Sequence, residues 1–250
     1  MNYFLVCGSA IGAMRHGGFI PWVDDLDVGM YREDYNKFME LAPTLLPEGI
    51  FLQNYTTDPN YPLVYAKLRD SGTTAVESYY KYIDMNHGLY IDIFPLDGYP
   101  ANEKEQRRLA KLARRYKVLS RCGLNFTEKL SVKNKFALFV RRLFGYHNRT
   151  AKTLAKYEEI ISSYPVEKSD FVYNHGTPYG KHDCMPAEYY GKGTTILYEG
   201  VKVRIPEKCD EYLTALYGDW RTPPPVEEQI GKHMFEISDT KRPYTEYLKF

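Results

Sequence analysis

Several common sequence signals are missing from this chain, and each absence excludes a class of protein. No uncharged run is long enough to span a bilayer. The first residues, MNYFLVCGSA, carry no basic segment before their short apolar stretch, which predicts a buried strand rather than a signal peptide. We therefore expect a cytoplasmic protein.

The motifs of several enzyme and metal-site classes are missing too. There is neither a G-x-x-x-x-G-K-[ST] loop nor a G-x-G-x-x-G turn, which disfavours kinases and dinucleotide-binding enzymes. His175 and the triplet 182–184 (His-Asp-Cys) fit no zinc-ligand spacing, and we interpret them as structural. The four cysteines form no C-x-x-C pair, which favours reduced thiols; they are Cys7, Cys122, Cys184 and Cys209.

Charge of one sign is concentrated in the middle of the chain. The whole sequence has a net charge of +1, but residues 104–156 hold sixteen Lys or Arg against two acidic residues. Such a segment predicts contact with an anionic partner, either a membrane surface that carries lipid-linked glycans or an anionic polymer. The plain alternative is a set of solvated helix faces that balance the acidic remainder. We expect no nucleic acid partner.

Apolar spacing predicts a mixture of strands and helices. We expect strands over residues 3–7, 23–30, 51–55, 63–68 and 88–94. We expect helices over residues 10–15, 32–46, 103–121, 132–144, 152–164 and 209–217. Residues 95–100 read as a turn, residues 194–205 as a hairpin turning at Glu199-Gly200, and the end of the chain as an irregular tail. This pattern predicts an α+β (mixed α/β) fold.

The stretch GFIPWVDDLDVGM, residues 18–30, places acids among apolar residues. On a strand, Asp25 and Asp27 would share a face. Two unit charges about 4 Å apart repel by roughly 4 kcal/mol in a protein-like dielectric, so a proton, a basic side chain or a divalent cation must offset them. Oxygen ligands suit Mg²⁺ or Mn²⁺, and Mg²⁺ is typically shared between carboxylates and substrate phosphates.

Two further features strengthen the metal–phosphate interpretation. Gly8-Ser9 follows the first predicted strand and precedes a short helix, where exposed backbone N–H groups can bind phosphate. Asp92 lies inside the apolar strand YIDIF, which is costly unless its carboxylate is paired or coordinated. A third carboxylate from a neighbouring strand would complete a two-metal site.

This layout resembles the nucleotidyltransferase superfamily and, more narrowly, the LicD family of phosphocholine transferases, which is related to the fukutin-type ribitol-phosphate transferases. The resemblance rests on GSAIGAMRHGGFIPWVDDLDVGMYREDYNKF, YAKLRDSGTT, YIDIFPLDGYP and LYEGVKVRIPEKCDEYLTALYGDWRTPPP, in that order. Val23 stands where the family usually has an acid. The helix that usually precedes the family's first strand has no counterpart in this sequence.

The resemblance implies a small mixed sheet flanked by helices, with a basic helical insertion and a C-terminal hairpin. We expect a catalytic core over 1–100, a basic helical region over 101–165, and a hairpin, helix and tail over 166–250 that pack back on the core as one compact unit. It further implies transfer of a phospho-alcohol, typically phosphocholine from CDP-choline, to a hydroxyl of a cell-surface glycan such as a lipopolysaccharide or teichoic acid sugar, with release of CMP.

The resemblance implies that the carboxylates Asp25, Asp27 and Asp92 bind two ions of Mg²⁺ or Mn²⁺. Asp92 would also accept the proton of the acceptor hydroxyl. The predicted nucleotide- and phosphate-binding residues are Gly8, Ser9, Arg15, Lys67 and Arg69. Asp24 and His16 would support the site from outside the ligand set.

Each supporting residue has a plainer alternative. Arg15 and His16 could be a surface pair, and Lys67 and Arg69 could line a solvated strand face. We expect Trp22 to pack in the core and Asp97 to be structural.

Other functions remain open at this point. A true nucleotidyltransferase would release pyrophosphate instead of CMP, and a non-catalytic module would bind anionic membrane through the basic helices. A D-x-D glycosyltransferase is disfavoured because only 24 residues precede Asp25.

Overall fold

The computed structural model describes residues 1–120, 136, 139, 140, 143, 150–231 and 233–248. The chain divides into two compact units that alternate along the sequence. The first unit comprises Met1–Leu46, Tyr90–Glu103 and Ser162–His233, and the second comprises Pro47–Leu89, Lys104–Ile161 and Met234–Phe250. The domain boundaries expected at 100/101 and 165/166 stay a prediction.

The first unit contains most of the strands. Its strands are β1 (Phe4–Leu5), β2 (Asp27–Tyr31), β6 (Leu89–Tyr99, nearly all of it in this unit), β7 (Phe171–Asn174), β8 (Cys184–Pro186), β9 (Thr194–Tyr198) and β10 (Val201–Ile205). Its helices are α1 (Cys7–Ile11), which continues as a π-helical turn over Gly12–His16, α2 (Arg32–Leu45), α5 (Ala187–Tyr190) and α6 (Cys209–Tyr217). Single 3₁₀ turns cover Val166–Lys168, Gly180–Asp183 and Val226–Glu228.

In the part of the second unit that the structure describes, two small strand pairs are accompanied by helices. Its strands are β3 (Ile50–Gln53), β4 (Ala66–Asp70), β5 (Thr74–Glu77) and β11 (Phe235–Asp239), and its helices are α3 (Glu103–Ser120) and α4 (Thr150–Ile161). A 3₁₀ turn covers Tyr244–Glu246. Strand β3 pairs antiparallel with β4, and β5 pairs antiparallel with β11.

The sheet of the first unit is mixed. Strand β1 pairs antiparallel with β2, β2 pairs parallel with β6, and β6 pairs antiparallel with β7, which pairs with β8. The predicted α+β fold, a mixed sheet flanked by helices, is confirmed. The hairpin of β9 and β10 is also confirmed, and it turns through Glu199 (φ 49°) and Gly200 (φ 77°) as predicted.

Helices α3 and α4 enclose the core of the second unit. A buried cluster joins Ala113 of α3 to Leu154, Tyr157 and Ile161 of α4, together with Val64. Seven basic side chains of α3 are exposed: Lys104, Arg107, Arg108, Lys111, Arg114, Arg115 and Lys117. The predicted helix over 132–144 lies largely outside the described residues. Among those that are described, no helix is both long and apolar enough to cross a membrane.

The prediction of a turn over 95–100 is wrong, because β6 continues to Tyr99. The sequence Pro-Leu-Asp-Gly is typical of a turn, but β2 and β7 flank this segment and hold it extended. Arg32 neutralises Asp97 there: its Nε donates to Oδ1 at 2.7 Å and a terminal nitrogen donates to Oδ2 at 2.8 Å. Asp97 is completely buried, in keeping with the structural role expected of it.

Other local predictions also need correction. Strand β2 begins at Asp27 rather than at residue 23, and α1 begins at Cys7, so Gly8-Ser9 lie in its first turn rather than in a preceding loop. The tail that was expected to be irregular contains β11. This strand was not predicted because its pairing partner β5 lies far away in sequence. Strands β5, β7 and β8 are too short to have produced a clear periodic signal.

Most of the histidine, aspartate and cysteine positions that were interpreted as structural are buried or partly buried, whereas His182 is exposed. His175 packs against Tyr99 and Tyr173. Asp183 is fully buried and accepts a hydrogen bond from Thr177 Oγ1 at 2.7 Å, and burial raises its pKa to about 7. Free thiols are found at Cys7, Cys184 and Cys209; Cys122 lies outside the described residues.

We expect Asp97→Ala to destabilise the protein by about 3–5 kcal/mol, because the buried Arg32 guanidinium would lose its bidentate partner. Urea unfolding followed by circular dichroism measures this loss. The control is Glu188→Ala, which removes an exposed ion pair with Lys208 and should cost less than about 1 kcal/mol. A loss below 1 kcal/mol for Asp97→Ala would contradict the prediction.

Candidate active site

Parallel pairing of β2 and β6 brings two of the predicted acids together. Asp27 lies opposite Asp92 in the register of the two strands, and the N–H of Asp92 donates to the carbonyl of Leu26 at 2.9 Å. Residues paired in this way on adjacent parallel strands project to the same face of the sheet. Both are buried, with 8% of Asp27 and 3% of Asp92 exposed. Two carboxylates at neighbouring buried positions require a compensating positive charge or a proton.

Ser9 holds the backbone at the first of these acids. Its Oγ accepts a hydrogen bond from the N–H of Asp27 at 2.8 Å, and the residue is buried. A second hydrogen bond comes from the residue that follows β1: the N–H of Val6 donates to the carbonyl of Asp27 at 3.1 Å. The hydroxyl of the Gly-Ser pair therefore acts on the acidic motif itself, a role that the sequence pattern did not indicate.

Asp24 and Asp25 lie in the segment before β2, where they meet a histidine from the distant end of the first unit. The Nδ1 of His233 is 2.8 Å from Oδ1 of Asp24, and its Nε2 is 3.7 Å from Oδ2 of Asp25. One ligand atom from each of these three residues lies within 4.8 Å of the others, so they could hold a metal ion. Sequence reasoning missed His233 because it follows Asp24 by 209 positions and belongs to no recognisable motif.

The loop that leads to the acids is held by the tip of the β9–β10 hairpin. The N–H of Phe19 donates to Oε1 of Glu199 at 3.0 Å, and the N–H of Glu199 donates to the carbonyl of Gly17 at 2.9 Å. A Cβ at position 18 would lie 1.9 Å from Oε1 of Glu199, so a larger residue there would displace this carboxylate from its contact with Phe19. The hairpin thus fixes the entry of the chain into the acidic segment.

Arg15 and His16 end the π-helical turn and lie beside Trp22. A terminal nitrogen of Arg15 donates to the carbonyl of Trp220 at 2.6 Å, and the guanidinium carbon is 6.0 Å from the centre of the Trp22 ring. Burial and the charge of Arg15 lower the pKa of His16. Trp22 is only partly buried, so the expectation that it packs in the core is wrong. The phosphate-binding role of Arg15 stays a prediction.

Lys67 and Arg69 belong to the second unit. Both are buried on β4, which rules out the alternative of a solvated strand face. Arg69 donates from Nε to Oε1 of Gln53 at 2.7 Å and from a terminal nitrogen to the carbonyl of Gly88 at 2.6 Å. These contacts give Arg69 a structural function within its unit. Nucleotide binding by Lys67 and Arg69 stays a prediction.

The arrangement is consistent with a nucleotidyltransferase-like fold. A short helix directly follows the first strand, an acid begins the next strand, and a further acid lies on its parallel neighbour. The carboxylate oxygens of Asp25, Asp27 and Asp92 are the ligand type that hard divalent cations prefer. The fold therefore defines the class as a nucleotidyltransferase-like domain, and metal binding by the three carboxylates stays a prediction.

Comparisons with known proteins narrow the class to a family. Residues 1–120 match the family model described as LicD/FKTN/FKRP, nucleotidyltransferase domain. The chain is 30% identical over 246 residues to the lipopolysaccharide cholinephosphotransferase LicD of Haemophilus influenzae, covering 94% of this chain and 88% of that protein. It is also 30% identical over 106 residues to the human ribitol 5-phosphate transferase FKRP, covering 41% of this chain and 18% of that protein.

The chain belongs to the LicD family. The resemblance inferred from the sequence motifs is thereby confirmed, and the chain is a phosphotransferase of the LicD type.

We expect Ser9→Ala to lower the free energy of unfolding by about 1–3 kcal/mol, because the buried N–H of Asp27 would lose its acceptor. Urea denaturation is again the measurement. Ser169→Ala is a suitable control, since that hydroxyl donates to the carbonyl of Pro165 at an exposed position. Equal stability losses in the two variants would show that Ser9 does not support the acidic motif.

Proposed function

We propose that this enzyme transfers phosphocholine from CDP-choline to a hydroxyl of a cell-surface glycan, such as a lipopolysaccharide or teichoic acid sugar, and releases CMP. The observation that carries the proposal is the register pair of Asp27 and Asp92, two buried carboxylates from separate strands. The similarity to a lipopolysaccharide cholinephosphotransferase along nearly the whole chain supports phosphocholine and a glycan as the transferred group and the acceptor.

Asp25, Asp27 and Asp92 would hold two divalent cations, Mg²⁺ or Mn²⁺. The donor chemistry fits this role, since carboxylates are the ligands these cations prefer and two of the three, Asp27 and Asp92, are buried like charges that need positive charge close by. Asp25 lies within the group of Asp24, Asp25 and His233 that could hold a metal ion. Bound cations would neutralise the charge on the donor's diphosphate and polarise its phosphorus–oxygen bonds.

Side chains of the protein carry out the proton transfer and position the substrates. Asp92 accepts the proton of the acceptor hydroxyl as that oxygen forms a bond to the phosphorus of the phosphocholine group. The bond from this phosphorus to the bridging oxygen breaks, and CMP leaves with the electron pair. Positioning of the two substrates for in-line attack provides most of the acceleration.

Several residues around the first turn of α1 suit the donor phosphates. A Cβ at Gly8 would meet only Cγ1 of Val23, at 3.8 Å, so packing alone does not require glycine there. A residue without a side chain leaves the backbone open to close approach by a phosphate. Arg15, in the turn that follows α1, would add a charged donor.

We expect Asp25→Asn, Asp27→Asn and Asp92→Asn each to lower CMP release by at least about 100-fold, because each removes a charge that binds the cation or the proton. The assay incubates the purified chain with Mg²⁺, a candidate glycan and a panel of CDP-alcohols, and follows CMP by chromatography and the glycan by mass spectrometry. Asp170→Asn, at an exposed position of the same unit, is the control and should retain activity.

Three outcomes would contradict this proposal. Release of pyrophosphate from a nucleoside triphosphate in place of CMP would identify a nucleotidyltransferase. Preference for another CDP-alcohol would exclude choline as the natural donor group. Activity of Asp92→Asn within about threefold of the parent chain would show that Asp92 on β6 has no catalytic role.

We further propose that the protein docks peripherally on anionic membrane, at the inner face where lipid-linked acceptors are made. Three apolar side chains of the basic segment, at helical spacing, are largely exposed: Phe136 (67%), Phe139 (59%) and Leu143 (70%). The seven exposed basic side chains of α3 supply complementary charge in the same unit. Apolar and basic residues together are typical of a segment that lies in the membrane interface.

The test reverses charge on α3. We expect the triple variant Arg108→Glu, Lys111→Glu and Arg115→Glu to bind vesicles containing anionic lipid at least about 100-fold more weakly, since each basic residue near the surface contributes roughly 1 kcal/mol. Sedimentation with neutral and anionic vesicles, at low and high salt, measures the binding.

A matched control changes the same amount of charge elsewhere. Lys168, Lys181 and Lys202 are exposed in the first unit, and changing all three to Glu should leave vesicle binding within about threefold. Equal loss in both triple variants would mean that only net charge matters, and absence of binding by the parent chain would refute docking.

A further inference from the structure

His233 lies against the acidic segment although it comes from the far end of the first unit. Its ring contacts Asp24 through Nδ1 and faces Asp25 through Nε2, at 2.8 and 3.7 Å. The ring also stands nearly perpendicular to that of Tyr90, at a centroid distance of 6.1 Å. The imidazole is therefore held on three sides by residues that surround the start of β2 and β6.

The contact with Asp24 decides which ring nitrogen of His233 carries the hydrogen. An ionised carboxylate only accepts hydrogen bonds, so Nδ1 carries the hydrogen that is donated to Asp24. In the neutral ring the lone pair is then on Nε2, which faces Asp25. A carboxylate that fixes the tautomer and orientation of a histidine in this way is the usual support for a histidine that binds a metal through its other nitrogen.

The distance between Nε2 and Asp25 fits two ligands of one ion. At 3.7 Å it is too long for a hydrogen bond. Two ligand atoms that are each about 2.0–2.2 Å from the same cation lie roughly 3–4 Å apart, depending on the angle between them. The pair is thus spaced as a nitrogen and an oxygen that share a cation.

Gly231 allows the backbone before His233 to approach the carboxylate of Asp24. A Cβ at Gly231 would lie 2.6 Å from Oδ2 of Asp24, so the backbone two residues before His233 passes directly over the Asp24 carboxylate. Any larger residue would push the carboxylate away from its position. The close approach of Gly231 to Asp24 and the hydrogen bond of Asp24 with His233 therefore favour the same position of the imidazole, beside Asp24 and Asp25.

We propose that His233 provides, through Nε2, a nitrogen ligand to the divalent cation held by Asp25, and that Asp24 positions the ring. This inference rests on the metal-binding part of the proposed function. A nitrogen ligand shifts the preference of an otherwise oxygen-lined site from Mg²⁺ towards Mn²⁺ and the later transition metals. One residue that lies outside the acidic motif would therefore raise the affinity of the site for Mn²⁺ and the later transition metals relative to Mg²⁺.

The experiment measures Mn²⁺ binding to the full chain without substrates. Electron paramagnetic resonance titration gives the affinity, and electron spin-echo modulation of the bound ion detects a directly coordinated nitrogen. We expect His233→Ala to abolish the nitrogen signal and to weaken Mn²⁺ binding by about 10–100-fold, while Mg²⁺ binding, measured by competition, changes less. His182→Ala, at an exposed histidine of the same unit, is the control and should change neither quantity.

The outcomes separate this inference from the proposed function. Mn²⁺ binding that is lost in Asp25→Asn but unchanged in His233→Ala, with no nitrogen signal in the parent chain, overturns the role of His233 and leaves the carboxylate site standing. Failure of the parent chain to bind either ion overturns both. A nitrogen signal that persists in His233→Ala would assign the ligand to another residue and also refute the inference.

Discussion

The parallel pairing of β2 with β6 is the interaction on which the site depends. It places Asp27 beside Asp92 with both side chains on one face, and it extends to Leu96 beyond Pro95. Burial makes this pair of like charges unfavourable in isolation, so the surrounding structure must supply a compensating group. Two contacts hold these strands near the acids. The N–H of Asp27, on β2, donates a hydrogen bond to Ser9, and Asp97, on β6, forms an ion pair with Arg32.

The acidic positions of the candidate site could be singled out from the sequence because their signals are local, while their metal-binding role stays a prediction. Acids within an apolar stretch, at 25, 27 and 92, were unusual enough to indicate charge that needs a counter-ion. The glycine at position 200 and the periodicity of α6 were strong signals as well, and the hairpin and that helix were predicted within a residue of their bounds.

The features that could not be predicted depend on long-range partners. Proline and glycine in 95–100 indicate a turn by local chemistry, but pairing with β2 as far as Leu96 and with β7 from Leu96 to Tyr99 keeps that segment extended. His233 reaches Asp24 across most of the chain, and no spacing rule connects them. Lys67 and Arg69 alternate as they would on an exposed strand, but the burial of that strand depends on tertiary packing.

The connection between β2 and β6 also has a kinetic consequence. Asp27 and Asp92 are 65 positions apart, so the strands that carry them can pair only after a long segment has closed, at an entropic cost of roughly 4 kcal/mol before a constant term. Contacts of such high sequence separation slow the folding of a domain. A cation held by both carboxylates, as proposed, would bind the native chain and not the unfolded ensemble, so its concentration in the cell would contribute directly to the population of folded enzyme.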